Sequence, residues 1–140
     1  MAETIQVDIV SAEGAIFSGP AREVFAPASE GDVGILPRHA ALLTLLKPGE
    51  VRVKPEEGEE QPFYVGGGVL EVQPHRVTVL ADTALRAKDI DEAAALAAKQ
   101  RAEETLRTKA DKIEQAEALA ELARIAAMLK VVQRLRKIRS

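Results

Sequence analysis

Apolar and polar positions alternate from the start of the chain. Ile5, Val7 and Ile9 are separated by Gln6 and Asp8, which predicts a half-buried strand of period two. Short apolar runs follow at Val24-Phe25-Ala26, residues 42–47, Val51-Arg52-Val53, Phe63-Tyr64-Val65, residues 69–72 and residues 77–80. Turn signals separate them. Gly19-Pro20 and Pro48-Gly49 read as turns, and Glu56-Glu57-Gly58-Glu59-Glu60 reads as a charged hairpin tip. Short strands punctuated about every 8–12 residues predict an all-β sandwich or barrel. No strand–helix–strand alternation occurs, which argues against an α/β fold.

Near residue 89 the period changes. Asp89 is placed to cap a helix, Glu92 three residues on completes a capping box, and Asp91 adds negative charge to the first turn. Residues 93–98, Ala102 and Leu106 continue this helix. The polar stretch 106–112 predicts a turn, and a second helix runs from there to the C-terminus. Ala118, Leu122, Ile125, Leu129 and Val132 follow the spacing of a helix–helix seam. Ala116, Ala120, Ala123 and Ala127 line an adjacent face and permit close approach. The expected arrangement is an antiparallel hairpin of two helices of about 20–25 residues, each about 30–38 Å long. Such a hairpin buries little area per residue, and isolated helices are marginal. It is therefore expected to be able to undock or open.

Glycine and proline sharpen this division. All nine glycines and all seven prolines fall between Gly14 and Pro74, and so do all four aromatics. The chain thus reads as an α+β protein of two domains. Residues 1–86 form an antiparallel β-sandwich, and residues 87–140 form an antiparallel α-helical hairpin. The composition, 46% hydrophobic and 29% charged, is that of a folded protein. No apolar run is long enough for a transmembrane helix, and the N-terminus does not resemble a signal peptide. There is no cysteine, hence no disulfide framework.

Charge is distributed unevenly. The net charge is −3. Residues 1–85 carry 13 acids and 6 bases, while residues 86–140 carry 9 acids and 13 bases. After Glu121 there is no acid, only Arg124, Lys130, Arg134, Arg136, Lys137 and Arg139. A positive end on an acidic protein implies an acidic partner, or a contact with the chain's own front half. A nucleic-acid-binding module is the alternative. The acidic front and the absence of aromatics from the basic half argue against it.

Five motifs in order carry a resemblance to a known family. They are Ser29-Glu30-Gly31-Asp32-Val33-Gly34-Ile35-Leu36-Pro37-Arg38-His39, then Leu42-Leu43-Thr44, Leu46-Lys47-Pro48-Gly49, Gly67-Gly68-Val69-Leu70-Glu71-Val72 and Val77-Thr78-Val79-Leu80-Ala81-Asp82-Thr83-Ala84. Over the whole chain the sequence resembles the epsilon subunit of bacterial F-type ATP synthases. The resemblance implies a non-catalytic central-stalk subunit, peripheral on the cytoplasmic face of the inner membrane and bound there only through its complex. It implies a sandwich that binds the gamma subunit and sits on the c-ring, with Gly31, Asp32, Gly34, Arg38 and His39 in the c-ring-facing loop. Gly31 and Gly34 are expected to supply backbone conformations that a Cβ would oppose. The helices are implied to fold down as a hairpin or to extend along gamma and restrain ATP hydrolysis. Arg124, Lys130, Arg134, Arg136 and Lys137 would then meet an acidic segment of the catalytic beta subunit.

Other chemistry is weaker. Gly66-Gly67-Gly68 lacks the Gly-Lys-Ser/Thr of a phosphate loop and is read as a bulge or a close backbone contact. His39 and His75 have no partner at metal-ligand spacing, so no metal site is expected. Ile90 and Asp91 match the start of a nucleotide-binding motif found in some family members, but Ala94 stands where that motif has Arg. Without that cationic fork a helix start is the preferred reading over an ATP site. No cofactor and no catalytic residue are expected.

Overall fold

The computed structural model describes residues 3–108 and 111–139, with side chains placed through Lys137. Seven strands come first: β1 (Ile5–Ser11), β2 (Gly14–Ala28), β3 (Gly31–Ile35), β4 (Leu42–Pro55), β5 (Gln61–Gln73), β6 (Arg76–Ala81) and β7 (Ala84–Arg86). A 3₁₀ turn at Ala87–Asp89 leads to α1 (Glu92–Arg107) and α2 (Lys112–Arg139).

The strands pair in the order β1-β6-β5-β4-β2-β3, and β1 also pairs with β2, which closes the sheet on itself. The expected sandwich is therefore barrel-like. All pairs are antiparallel except β1–β6, which is parallel. That exception follows from the closure, because the ring β1-β6-β5-β4-β2 has five strands, and an odd ring cannot be antiparallel throughout. Ile5, Val7 and Ile9 point inward, as their alternation predicts, and meet Val24, Ile35, Val51, Phe63, Leu70 and Val79 in one core. Fully burying a side chain of this size contributes about 1.5–3 kcal/mol.

Two expected turns are absent: Gly19-Pro20 lies inside β2 and Pro48-Gly49 inside β4. Gly66-Gly67-Gly68 likewise lies inside β5. Long strands bend at these places instead of ending. A Cβ on Gly49 would come within 2.7 Å of Pro27 Cβ, so the glycine marks where β4 crosses β2. The glycine triplet is where β5 changes partner, from β7 at Phe63–Val65 to β6 beyond Gly68. Gly67 and Gly68 adopt φ of 110° and 136°, and a Cβ on Gly68 would collide with the Leu80 carbonyl. The close-backbone reading of the triplet holds. The first tight turn instead occupies Ala12-Glu13, where β1 returns as β2.

The helices pack side by side, and α2 also touches β4, β5 and the 3₁₀ turn. Their lengths are unequal, 16 and 28 residues, or about 24 and 42 Å. Ala95 and Ala102 on α1, with Ala118 and Ile125 on α2, are buried. Of the expected seam, Ala118, Ile125 and Val132 are buried, while Leu122 and Leu129 are half-buried. Ala116, Ala120 and Ala123 are exposed, so the close helix approach belongs to other alanines. The cap is also displaced. Ile90 packs into a buried cluster and holds the chain extended, so α1 begins only at Glu92 and Asp91, not Asp89, caps it. Residues 109–110 of the expected interhelical turn lie outside the described residues.

Candidate functional site

The contact between α2 and the sandwich brings one of the basic helix residues, Arg134, to acidic ones. Its apolar part is small. Tyr64, Ala87 and Val131 are buried together, with Ile90, Ala127, Met128 and Leu135 packed against them. Strand β5 explains why Phe63-Tyr64-Val65 are all buried: Phe63 and Val65 face the core, and Tyr64 faces α2. Desolvation under the helix raises the Tyr64 hydroxyl above its usual pKa, against the opposing charge of Arg124.

Beside this cluster lies an ionic one. Arg134 Nε is 3.1 Å from Glu50 Oε1, and its Nη2 donates to Glu60 Oε1 at 3.0 Å. Arg52 approaches the same two carboxylates at 3.4 and 3.9 Å, and its guanidinium stacks 4.2 Å above the Phe25 ring. Glu50 and Glu60 are the most confined of the four, their side chains 18% and 16% exposed. Burial pushes the Glu50 pKa up to about 7, although Arg134 and Arg52 pull it down. Its second oxygen, Oε2, is buried with no hydrogen-bond partner. Asp32, Lys47 and Lys130 line a cavity of about 540 Å³ next to it, under the alanine face of α2. Further along, Arg136 pairs with Glu92 at the start of α1.

The basic residues predicted from the sequence thus divide. Arg134 and Arg136 are engaged with acids of the same chain, the self-contact that the charge asymmetry allows. Arg124 and Lys130 are exposed, and Lys130 lines the cavity beside Glu50. Placement of the Arg139 side chain lies outside the described residues. Asp91 Oδ1 accepts the Ala94 amide at 3.0 Å, so its carboxylate serves its own helix, while Ile90 is part of the apolar cluster.

The residues expected in one c-ring-facing loop are also divided. Gly31, Asp32 and Gly34 belong to β3, which pairs with the end of β2, rather than to a loop. Gly31 has φ of 134°, as expected of a position that a Cβ would strain, but Gly34 has no positive φ and stands against the Phe25 ring. Arg38 and His39 follow in the connection to β4. Arg38 takes φ of 67°, donates its amide to the Pro74 carbonyl at 2.9 Å and pairs with Glu3 at 2.7 Å. His39 Nδ1 lies 2.7 Å from the Ala40 carbonyl oxygen.

One surface was missed by the sequence reading. Leu45, Val69, Leu80 and Val10 stand in register across β4, β5, β6 and β1. Leu45 and Leu80 are 63% and 49% exposed, and Leu43, two residues along β4, is 70% exposed. They make an apolar stripe on the outer face. The signal was the unbroken run Leu42-Leu43-Thr44-Leu45-Leu46, which offers apolar residues to both faces where an outer face should be polar.

Comparison with known proteins agrees with this architecture. Residues 4–87 match the family model of the ATP synthase delta/epsilon chain beta-sandwich domain, and residues 88–133 match that of the delta/epsilon chain long alpha-helix domain. The ATP synthase epsilon chain of Nitrosococcus oceani is 65% identical over 137 residues, covering 98% of each chain. That of Halorhodospira halophila is 62% identical over 135 residues, covering 96% of each. Among solved structures, a chain of the Euglena gracilis mitochondrial ATP synthase superposes with a TM-score of 0.82 at 19% identity, covering 91% of this chain and 80% of that one. Sequence identity and both family models together establish that this chain belongs to the ATP synthase epsilon chain family.

Proposed function

We propose that this non-catalytic subunit of the F-type ATP synthase central stalk couples the rotor and restrains ATP hydrolysis, with the two tasks divided between its halves. Residues 1–86 attach it to the rotor. The outer-face stripe of exposed Leu45 and Leu80 with half-buried Val10 and Val69 suits the gamma subunit, because a contiguous apolar patch marks a surface that a partner covers. The end of the sandwich carrying Gly31, Asp32 and Gly34, with Arg38 and His39 beyond, suits the polar loops of the c-ring. Through these partners the subunit sits at the cytoplasmic face of the bacterial inner membrane. No helix among the described residues is long and apolar enough to cross a membrane itself.

Residues 87–140 form the movable part. One observation carries this reading: the C-terminal half of α2 is held to the sandwich by a few apolar side chains and by ion pairs to Glu50 and Glu60. Partly exposed ion pairs are each worth only about 0.2–1 kcal/mol. An acidic segment of the catalytic beta subunit can replace them, taking Arg124, Lys130, Arg134, Arg136 and Lys137 in exchange. Inhibition is then collective and weakens with salt, because the Debye length is about 8 Å at physiological ionic strength.

The test is the ATPase rate of the whole complex across a salt series. Three forms of this subunit are compared: wild type, a variant with Lys130, Arg134, Arg136 and Lys137 all replaced by Ala, and a chain ending before Arg124. Both altered forms should hydrolyse ATP several-fold faster at low salt, and the difference should shrink as salt rises. An unchanged rate with the shortened chain at low salt overturns the inhibitory role.

A further inference from the structure

The ionic cluster under α2 contains a group that its surroundings do not satisfy. Glu50 projects from β4 into the contact with α2. Its Oε1 is shared by Arg134 and Arg52, while its Oε2 is buried without any hydrogen-bond donor. Three elements and one connection face it. Arg52 and Lys47 come from β4, Glu60 from just before β5, Asp32 from β3, and Arg134 and Lys130 from α2. Two of these neighbours, Glu60 and Asp32, are acids that oppose a second negative charge, and the alanines of α2 above offer no donor. A buried oxygen that carries charge and lacks a donor is costly. A proton on Oε2 removes the charge and lessens that cost.

We propose that docking of α2 on the sandwich is coupled to proton uptake at the Glu50 carboxyl, so that the docked hairpin is favoured as the pH falls and loosens as it rises. The coupling needs a difference between two states. When α2 leaves, the cover over Glu50 leaves with it, and the carboxyl returns to solvent beside Arg52. Docking reverses this and confines the same group between Arg134, Glu60 and the alanine face. The sign follows from the burial. Glu50 is pushed up to about 7 in the docked state, against an ordinary value of 4.5. Between these values the docked form binds more protons. The proton's contribution is complete below the lower value and is lost as the pH rises through the upper one. From pH 8 to pH 6 the ratio of docked to undocked molecules should rise about tenfold. Arg134 moderates this by stabilising the charged form, so it acts as a partner to the carboxylate at high pH and tolerates the neutral acid at low pH.

The inference rests on the reading that the hairpin leaves the sandwich, and one measurement separates the two. The chain has no cysteine, so spin labels can be placed at Ser29→Cys and Gln133→Cys, both exposed. Interspin distances are then measured in the full chain from pH 5.5 to 8.5. The expected result is two populations, with the docked-to-undocked ratio rising about tenfold between pH 8 and 6 and staying nearly level above pH 8. Glu50→Gln, which is neutral at every pH and close in shape, should hold the docked population high and flat. Circular dichroism confirms that the sandwich of this variant is intact. Two populations in a ratio that does not change with pH, or that changes in the opposite sense, overturn the latch alone. A Glu50→Gln profile that still titrates like wild type also overturns it. A single docked distance at every pH overturns both the latch and the movable hairpin.

Discussion

Arg134 of α2 reaches two carboxylates of the sandwich at once, Glu50 on β4 at 3.1 Å and Glu60 at 3.0 Å. Glu50 projects from β4 and Glu60 stands just before β5, so one side chain ties the end of α2 to both arms of the β4–β5 hairpin.

Replacing Arg134 by Gln should therefore loosen α2 without unfolding the sandwich. The guanidinium side chain is 41% exposed, which reduces the electrostatic contribution to about 1 kcal/mol. Amide hydrogen exchange should quicken about fivefold around Val131 and Leu135, while strand amides keep their protection. Unchanged exchange in α2 would show that the apolar cluster alone holds the helix.

Gly68 should be among the least replaceable positions. Its φ of 136° opposes any side chain, and a Cβ would fall on the Leu80 carbonyl of β6. Strain and overlap together predict that Gly68→Ala lowers the unfolding free energy by more than about 2 kcal/mol. Urea unfolding followed by circular dichroism measures this. By contrast, Ala at Gly58, which has positive φ but no atom within 4 Å, should cost only about 1 kcal/mol.

Acid sensitivity of the sandwich should trace in part to Asp8. The Ser18 hydroxyl, which donates to Asp8 Oδ1 at 2.7 Å, the Gln6 amide and Arg76 together hold its pKa below the usual carboxylate range. A depressed folded-state value contributes stability above the unfolded pKa, and that stability is lost as the pH falls through the folded one. Asp8→Asn should cost about 1 kcal/mol at neutral pH and make little difference near pH 2. Thermal unfolding of both chains between pH 2 and 7 checks the convergence.

Much of the fold was legible from period and punctuation. Ile5, Val7 and Ile9 betray their strand because one face is wet and the other dry, and the switch to helical spacing after Ile90 marks the hairpin. What was not legible follows from bends. Pro48-Gly49 has the chemistry of a turn, but here the glycine lets one long strand pass another, and only three-dimensional crossing distinguishes the two uses. The cap moved from Asp89 to Asp91 because Ile90 is anchored by Tyr64 and Val131, which are distant in sequence. At the site, the asymmetry of charge pointed to the basic helix. It did not point to Glu50 and Glu60, since Glu50 follows Pro48-Gly49, which reads as a turn, and Glu60 sits in an acidic stretch that reads as a solvated hairpin tip. Their role appears only when α2 is laid across them.

The pairing of β1 with both β2 and β6 has a consequence for assembly. A sheet that returns to its first strand has little free backbone left to recruit another chain by strand addition. Short β3 and the three-residue β7 border the closure, and the rest of the ring is already bonded. A neighbour in the rotating complex must therefore recognise the outside of the barrel by its side chains. Such attachment can be specific without merging hydrogen-bond ladders, and copies of the chain released from the motor have few edges with which to stick to one another.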